Sequence, residues 1–203
     1  AVREGLVLPL GSSYKFLASP GADDGPAPPL PAASLGIEYR FLHDRVQQAA
    51  YAMIPAERRQ MVHLTVGRLL RSRATAEQLD TSLFDIVHHL NLGRGLIQEA
   101  AERREVAALN LAAGRRAKAS TAHDSALELF LAGCGLLETS AWTQDYELCF
   151  ELHLEGAESL YLCGQFDAAL SALGELAGQA RSAIDHARVM RLRSVQFECM
   201  ARY

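Results

Sequence analysis

The sequence has little with which to carry out chemistry. Its 203 residues contain no G-x-x-x-x-G-K-[ST], no G-x-G-x-x-G and no G-x-S-x-G. The usual phosphate cradles and the nucleophile elbow are therefore missing. There is no C-x-x-C. The four cysteines, Cys134, Cys149, Cys163 and Cys199, lack the close pairing of a zinc site and read as small buried hydrophobes, reduced in a cytoplasmic protein. No apolar run approaches the ~20 residues that span a bilayer, and Ala1–Gly5 lacks the apolar stretch of a signal peptide. Positive charge is not in excess: Lys plus Arg is 20, Asp plus Glu is 24 and the net charge is −4. That balance argues against nucleic acid as a partner. What is present is ordinary globular composition, 49% hydrophobic and 22% charged, enough for one or two domains.

The first part of the chain is strand-like. Leu6-Val7-Leu8 and Tyr14–Leu17 flank Pro9–Ser13, a turn-forming stretch. Ala18–Gly36 follows with five of the seven prolines, three glycines and no aromatic residue, a composition that cannot build a core. Ile37, Tyr39 and Phe41 then alternate with polar residues as in a strand. The expectation is a small antiparallel ribbon with a long flexible loop at one tip.

From His43 onward the signals are helical. Asp44 followed by Gln47 has capping-box spacing, and Val46, Ala49, Ala50 and Met53 form an apolar stripe. Pro55 breaks that helix and suits the first turn of the next. A second helix carries Val62, Val66, Leu69 and Leu70 on one face. A third carries Leu79, Leu83, Ile86, Val87 and Leu90, and Gly93 ends it. Further helices are expected over 102–120, 122–138, 144–162, 166–181 and 184–203, joined by short connections that make neighbours antiparallel.

Gly114, Ala126, Phe130 and Gly133 fall at the small and aromatic spacings of a tetratricopeptide unit, and Gly164, Phe166 and Ala169 restate its turn and second helix. The step from Gly114 to Ala157 is 43 residues, longer than the usual ~34, so the array is tetratricopeptide-like. Ile184 would open a third unit whose partner helix is absent. Because such units need stacked neighbours to bury their faces, the chain reads as an excerpt of a longer protein.

Several residues could suggest chemistry. His88 and His89 are adjacent, and helical neighbours point about 100° apart, so they are no chelating pair. His63 and His153 lie on mostly apolar faces and read as hydrogen-bonded structural histidines. His43-Asp44 could suggest a metal-dependent phosphohydrolase, but no further ligands assemble around it. The clusters Arg58-Arg59, Arg71/Arg73, Arg103-Arg104 and Arg115-Arg116/Lys118 are short, lie among acidic residues and read as solvated helix faces. No acid, base or nucleophile set converges. Catalytic and metal residues are therefore expected to be none.

Four blocks carry a resemblance. They are E-G-L-V-L-P-L (Glu4–Leu10), Y-R-F-L-H-D-R-V-Q-Q-A-A-Y (Tyr39–Tyr51), F-D-I-V-H-H-L-N (Phe84–Asn91) and N-L-A-A-G-R-R-A-K-A-S (Asn110–Ser120). Together they resemble the region following the STAND-type ATPase module of large bacterial multidomain sensor histidine kinases, which also carry a serine/threonine-kinase-like domain. The resemblance covers most of the chain, and F-L-H-D-R-V-Q-Q-A-A-Y is its most specific part. It implies a mainly α fold: a helical-repeat array preceded by the small β-ribbon of a partial winged-helix domain. Residues 1–54 would be the C-terminal part of that winged helix, with 18–36 in the wing. Residues 55–203 would be an antiparallel helical array, tetratricopeptide-like from about 105.

In related ATPases of apoptosis and plant immunity, a winged-helix M-H-D motif places its histidine at the phosphates of ADP. Leu42-His43-Asp44 is similar to it and also follows a strand. The resemblance thus implies that His43 senses nucleotide bound by an adjoining ATPase module, with Asp44 as supporting cap. No cofactor is expected in this segment; ATP or ADP and Mg belong to the parent. The expected partners are neighbouring ATPase and kinase domains of the same chain, and a protein docked on the helical array. The implied role is a non-catalytic, cytoplasmic linker that relays nucleotide state to a histidine kinase. The alternatives are a protein-binding helical scaffold, or the same region in a nucleotide cyclase or transcription activator.

Overall fold

The computed structural model describes residues 7–10 and 38–200. The chain divides into two compact units, Ala1–Ala56 and Glu57–Tyr203, and among the described residues it is mainly helical.

In the first unit, β1 (Val7–Leu10) pairs antiparallel with β2 (Glu38–Phe41), Val7 opposite Phe41 and Leu10 opposite Glu38. The strand runs through Pro9, which the sequence had assigned to a turn. Proline is tolerated because a two-stranded ribbon is all edge, and a missing N–H there breaks no interior ladder. The expected strand at Tyr14–Leu17 and the insert 18–36 lie outside the described residues. Helix α1 (Asp44–Ala52) follows β2. It buries no residue, and Met53, placed on its apolar stripe by the spacing, is 83% exposed.

The second unit opens with α2 (Ala56–Arg73), all but its first residue, followed by α3 (Ala76–Thr81) and α4 (Leu83–Gly93), closed by a 3₁₀ turn at Arg94–Leu96. The single third helix expected from the sequence is two, broken at Ser82. Asp80, Thr81 and Ser82 are weak helix formers that compete for backbone groups, and the Thr81 hydroxyl donates to the Gln78 carbonyl at 3.0 Å. α3 begins with a full capping box: the Gln78 N–H donates to Thr75 Oγ1 at 3.2 Å, and the Thr75 N–H donates to Gln78 Oε1 at 3.1 Å. α2 turns a different face to the core than its apolar stripe suggests. Leu64 and Gly67 are buried, while Val62, Leu69 and Leu70 are exposed. Close approach decides this. A Cβ on Gly67 would sit 2.8 Å from Leu90, and one on Gly93 would sit 2.6 Å from the Leu64 Cβ. The two helices interlock small against large.

Two hairpins and a last helix follow: α5 (Ala100–Ala119) with α6 (His123–Cys134), a short α7 (Ala141–Gln144), α8 (Tyr146–Leu162) with α9 (Phe166–Gln179), and α10 (Ala183–Met200). α6 packs on α8, and α9 packs on α10. One buried cluster joins Ile86, Leu90, Val106, Phe130 and Leu152; another joins Phe150, Leu154, Leu173, Leu176, Val189 and Leu192. The two hairpin turns are alike. Thr121 (φ +61°) and Gly164 (φ +77°) adopt the left-handed conformation. Around them the Ala122 N–H donates to the Ala117 carbonyl and the Thr121 N–H to that of Lys118; Gln165 bonds to Leu160 and Gly164 to Tyr161 in the same way. This is the Schellman ending, in which one left-handed residue lets two later N–H groups satisfy the last helical carbonyls.

Positions 43 residues apart fill like places. Leu83, Val87 and Leu90 of α4 are buried, as are Ala126, Phe130 and Gly133 of α6, and Ala169, Leu173 and Leu176 of α9. Phe130 fills the space left by Gly114, whose Cβ would fall 2.8 Å from the ring Cζ. Phe166 does not act this way: it is exposed and lies against Tyr161, ring centroids 5.4 Å apart.

Candidate functional site

β2 delivers the chain through Leu42 into the start of α1, and this fixes His43. Its backbone is extended (φ −148°, ψ 145°), and its carbonyl accepts from the N–H of Val46 at 2.9 Å and of Gln47 at 3.3 Å. Its own Nδ1 accepts from the Arg45 N–H at 3.2 Å. His43, not Asp44, is therefore the cap of α1. The expectation that Asp44 caps the helix, with a box to Gln47, is corrected. Asp44 is the first helical residue, where its carboxylate meets the positive end of the helix dipole. The shift has a chemical consequence. An Nδ1 that accepts must be unprotonated, so Nε2 carries the proton and remains a donor. His43 and Asp44 are both exposed. Asp44 lines a concavity of about 570 Å³ with Phe41, Gln47, Gln48, Tyr51 and Ile54, and His43 is outside that lining.

The remaining histidines are placed by packing. His63 of α2 reaches His89 of α4, Nδ1 to Nδ1 2.8 Å, with His88 flanking both at ring-centroid distances of 6.4 and 5.5 Å. Burial lowers the His63 pKa and the neighbouring His88 adds to it. Burial lowers that of His89 too, helped by His63 and His88 and opposed by Asp85. The sequence missed this contact because the residues are 26 positions apart. His153 hydrogen-bonds the Cys149 carbonyl at 2.7 Å and lies 3.7 Å from the Cys134 sulfur, against Trp142. Burial pushes the Cys134 thiol to about 12 and raises Cys149 and Cys163. These are protonated thiols at neutral pH, not nucleophiles. Among the described residues no group of three or more His, Cys, Asp or Glu could hold a metal ion.

The basic clusters are not merely solvated faces: three of them carry ion pairs to other elements, two of these to another helix. Arg68 holds Glu102 through two 2.7 Å bonds, Arg71 pairs with Glu105, Arg103 with Glu138 and Arg104 with Asp145. Arg115 and Lys118 of α5 pair with Glu151, Glu155 and Glu158 of α8, and Arg188 of α10 pairs with Glu151. Burial pulls the Lys118 ammonium down, but Glu155 and Glu158 outweigh it and its pKa is raised. Burial raises the Glu155 carboxyl, but Lys118 and Arg115 outweigh that and it is lowered. A buried amide pair also links α4 to α5: the Asn91 amide donates to Asn110 Oδ1 at 2.8 Å, and the Asn110 amide donates back at 2.9 Å. No helix among the described residues is long and apolar enough to cross a membrane.

The chain is similar to a protein of Dictyostelium discoideum described as hybrid signal transduction histidine kinase G, 27% identical over 152 residues. The match covers 63% of this chain and 4% of that protein, so the chain corresponds to a small part of its relative. No family model matches, and no solved structure matches. The likeness suggests a relationship to signal-transduction kinases.

Proposed function

We propose that this chain is a non-catalytic linker of a multidomain signal-transduction protein, relaying the nucleotide state of an adjoining ATPase module to a histidine kinase. The observation that carries the reading is the likeness to a hybrid histidine kinase over 152 residues that make up only 4% of it. In this reading 1–54 is the end of a winged-helix domain, and 55–203 is an antiparallel helical array in the cytoplasm, tetratricopeptide-like from about 105. His43 is the sensor. Its Nδ1 is occupied by the Arg45 N–H, so Nε2–H is the group that donates to a phosphate oxygen of ADP or Mg·ATP held by the ATPase. Loss of that contact supplies the state-dependent interaction that a switch requires.

Two measurements test this. Incubating the full-length parent with labelled ATP is expected to give a label that is acid-labile and alkali-stable, as phosphohistidine is; an acid-stable label removes the histidine-kinase assignment. In the same protein, His43→Ala is expected to weaken ADP binding and change kinase output, while His43→Asn, which keeps a capping side chain, separates sensing from helix capping. Unchanged affinity in both variants sinks the sensor. A second reading, a scaffold for a protein partner, is favoured by an open groove of about 1040 Å³ between α4 and α6, where Phe84, Leu92 and Leu131 are exposed.

A further inference from the structure

The 43-residue register assigns a task to the open face of α10. At one position of α5, α8 and α10 stand Asn110, His153 and Gln196. Asn110 is satisfied by Asn91 of the second helix of the preceding hairpin, while His153 bonds the Cys149 carbonyl of its own helix at 2.7 Å and lies 3.7 Å from Cys134, which stands 43 residues after Asn91. The next residue in that series is Ala177, which offers no side-chain hydrogen bond. Gln196 is 2% exposed, and both atoms of its amide lack a partner, as does Nε of the adjacent Arg193. Buried amide groups without partners are rare, and each calls for an explanation.

The same helix carries exposed apolar surface where its counterparts are covered. Leu154 of α8 is 7% exposed, packed with Leu173 and Leu176 of α9. Its counterpart on α10 is Phe197, 51% exposed; Met190, two turns earlier and also exposed, stands where α8 has the exposed Glu147. On the hairpins already built, the residue that meets this polar position from the hairpin's own second helix is known from close approach. Leu90 meets Gly67, and Gly133 lies against the Asn110 Cβ.

We infer that the Met190–Phe197 face of α10 is the docking site of a further amphipathic helix, joined to α10 by the same left-handed turn that joins α5 to α6 and α8 to α9. It lies antiparallel on α10, covers Phe197 with the large apolar residue that corresponds to Phe130 and Leu173, and presents a hydrogen-bonding side chain to Gln196 at the place of Gly133 and Leu176. The inference rests on the helical-array part of the reading above and is independent of His43. It follows from continuity with the two hairpin interfaces, and from an amide that the preceding helix leaves unsatisfied.

The test lengthens the chain after Tyr203, the counterpart of Leu160, with a copy of Tyr161–Gln179, made twice: once unchanged and once with Gln in place of the copied Leu176. Both extended proteins are expected to melt higher than the original chain, the Gln form by about 5 °C. Phe197→Asp is expected to abolish the gain while leaving the melting point of the original chain nearly unchanged. No gain in either form, or a gain that survives Phe197→Asp, overturns the docking site. A gain as large with Leu as with Gln overturns the role given to Gln196. Ala177→Asn in the original chain is the separate check on the register. If it raises the melting point, as an Asn91-like partner for Gln196 should, the array stands even where the docking site fails. If it does not, the register itself is wrong.

Discussion

The α5–α6 and α8–α9 hairpins have the same turn and the same buried positions but different residues. Gly114 lies against Phe130 in the first; Ala157 and Leu173 hold those positions in the second, both buried. Where α2 has Gly67 under Leu90, α5 has Asn110 under Gly133. Between these last two pairs the small member changes sides, so a close approach on one helix is matched by bulk on the other, as a close-packed interior requires. The difference teaches that the constant feature of these helices is which positions are buried rather than the residue that fills each of them.

The largest effect is expected from breaking one such pair. Gly114→Ala places a methyl group against the Phe130 ring, and overpacking of this kind destabilises by about 2–3 kcal/mol. Adding Phe130→Leu recreates the pair found in the second hairpin and is expected to recover most of the loss. Denaturant unfolding of the two single variants and the double variant measures the coupling. Purely additive losses would show that the two hairpins are not packed by one rule.

The polar series divides by sign. Asn110→Leu strands the Asn91 amide and is expected to cost about 2 kcal/mol, whereas Gln196→Leu removes an amide that has no partner and is expected to stabilise by about 1 kcal/mol. Equal signs in a thermal melt would contradict the contrast between a satisfied and an orphaned position.

The mainly helical character was legible in the sequence because the relevant signals are local. Gly164 marked its turn, and Ala126, Phe130 and Gly133 fell at helical spacing and are all buried. Thr121 carried no such mark, since a β-branched residue is a poor predictor of left-handed backbone. The face of α2 was misread because its most apolar stripe, Val62, Leu69 and Leu70, is the exposed one, and burial is decided by Gly67 and Gly93, which lack a side chain to signal it. At the candidate site, the position of His43 after a strand was readable. Its role as the cap was not, because aspartate is the better cap by type. The ion pairs between α5 and α8 and the His63–His89 contact join residues 26 or more positions apart, a separation that local pattern cannot span.

A smaller effect separates the two turns. Thr121 holds φ +61° where its counterpart is Gly164, and non-glycine residues adopt this conformation at a cost of about 1 kcal/mol. Thr121→Gly also removes the bond from its hydroxyl to the Ser120 carbonyl, so the net gain is expected to be about 0.5–1 kcal/mol. Gly164→Thr should lose at least as much. A loss on both substitutions, measured by thermal melting, would mean that the turns differ in more than their left-handed residue.

The smallest effect concerns the one hairpin that replaces apolar residues with imidazoles. His63 and His89 occupy the places that Val106 and Ala132 hold one unit later, and both imidazoles have lowered pKa values. A histidine whose folded pKa is lowered binds a proton more readily in the unfolded chain. Stability is therefore full above the ordinary value of 6.5 and falls as pH drops from there toward the folded pKa. The lowered carboxyls Glu102 and Glu155 act in a separate window, keeping their contribution until pH falls below the ordinary 4.5. Converting the pair with His63→Val and His89→Ala is expected to flatten the stability profile between pH 7 and pH 5 and to leave the loss below 4.5 in place. The effect is modest because both rings are partly solvated and screened. Hydrogen exchange of α2 and α4 across that range locates it. Protection that falls equally in the converted chain would place the acid sensitivity elsewhere and make the three hairpins alike in this respect.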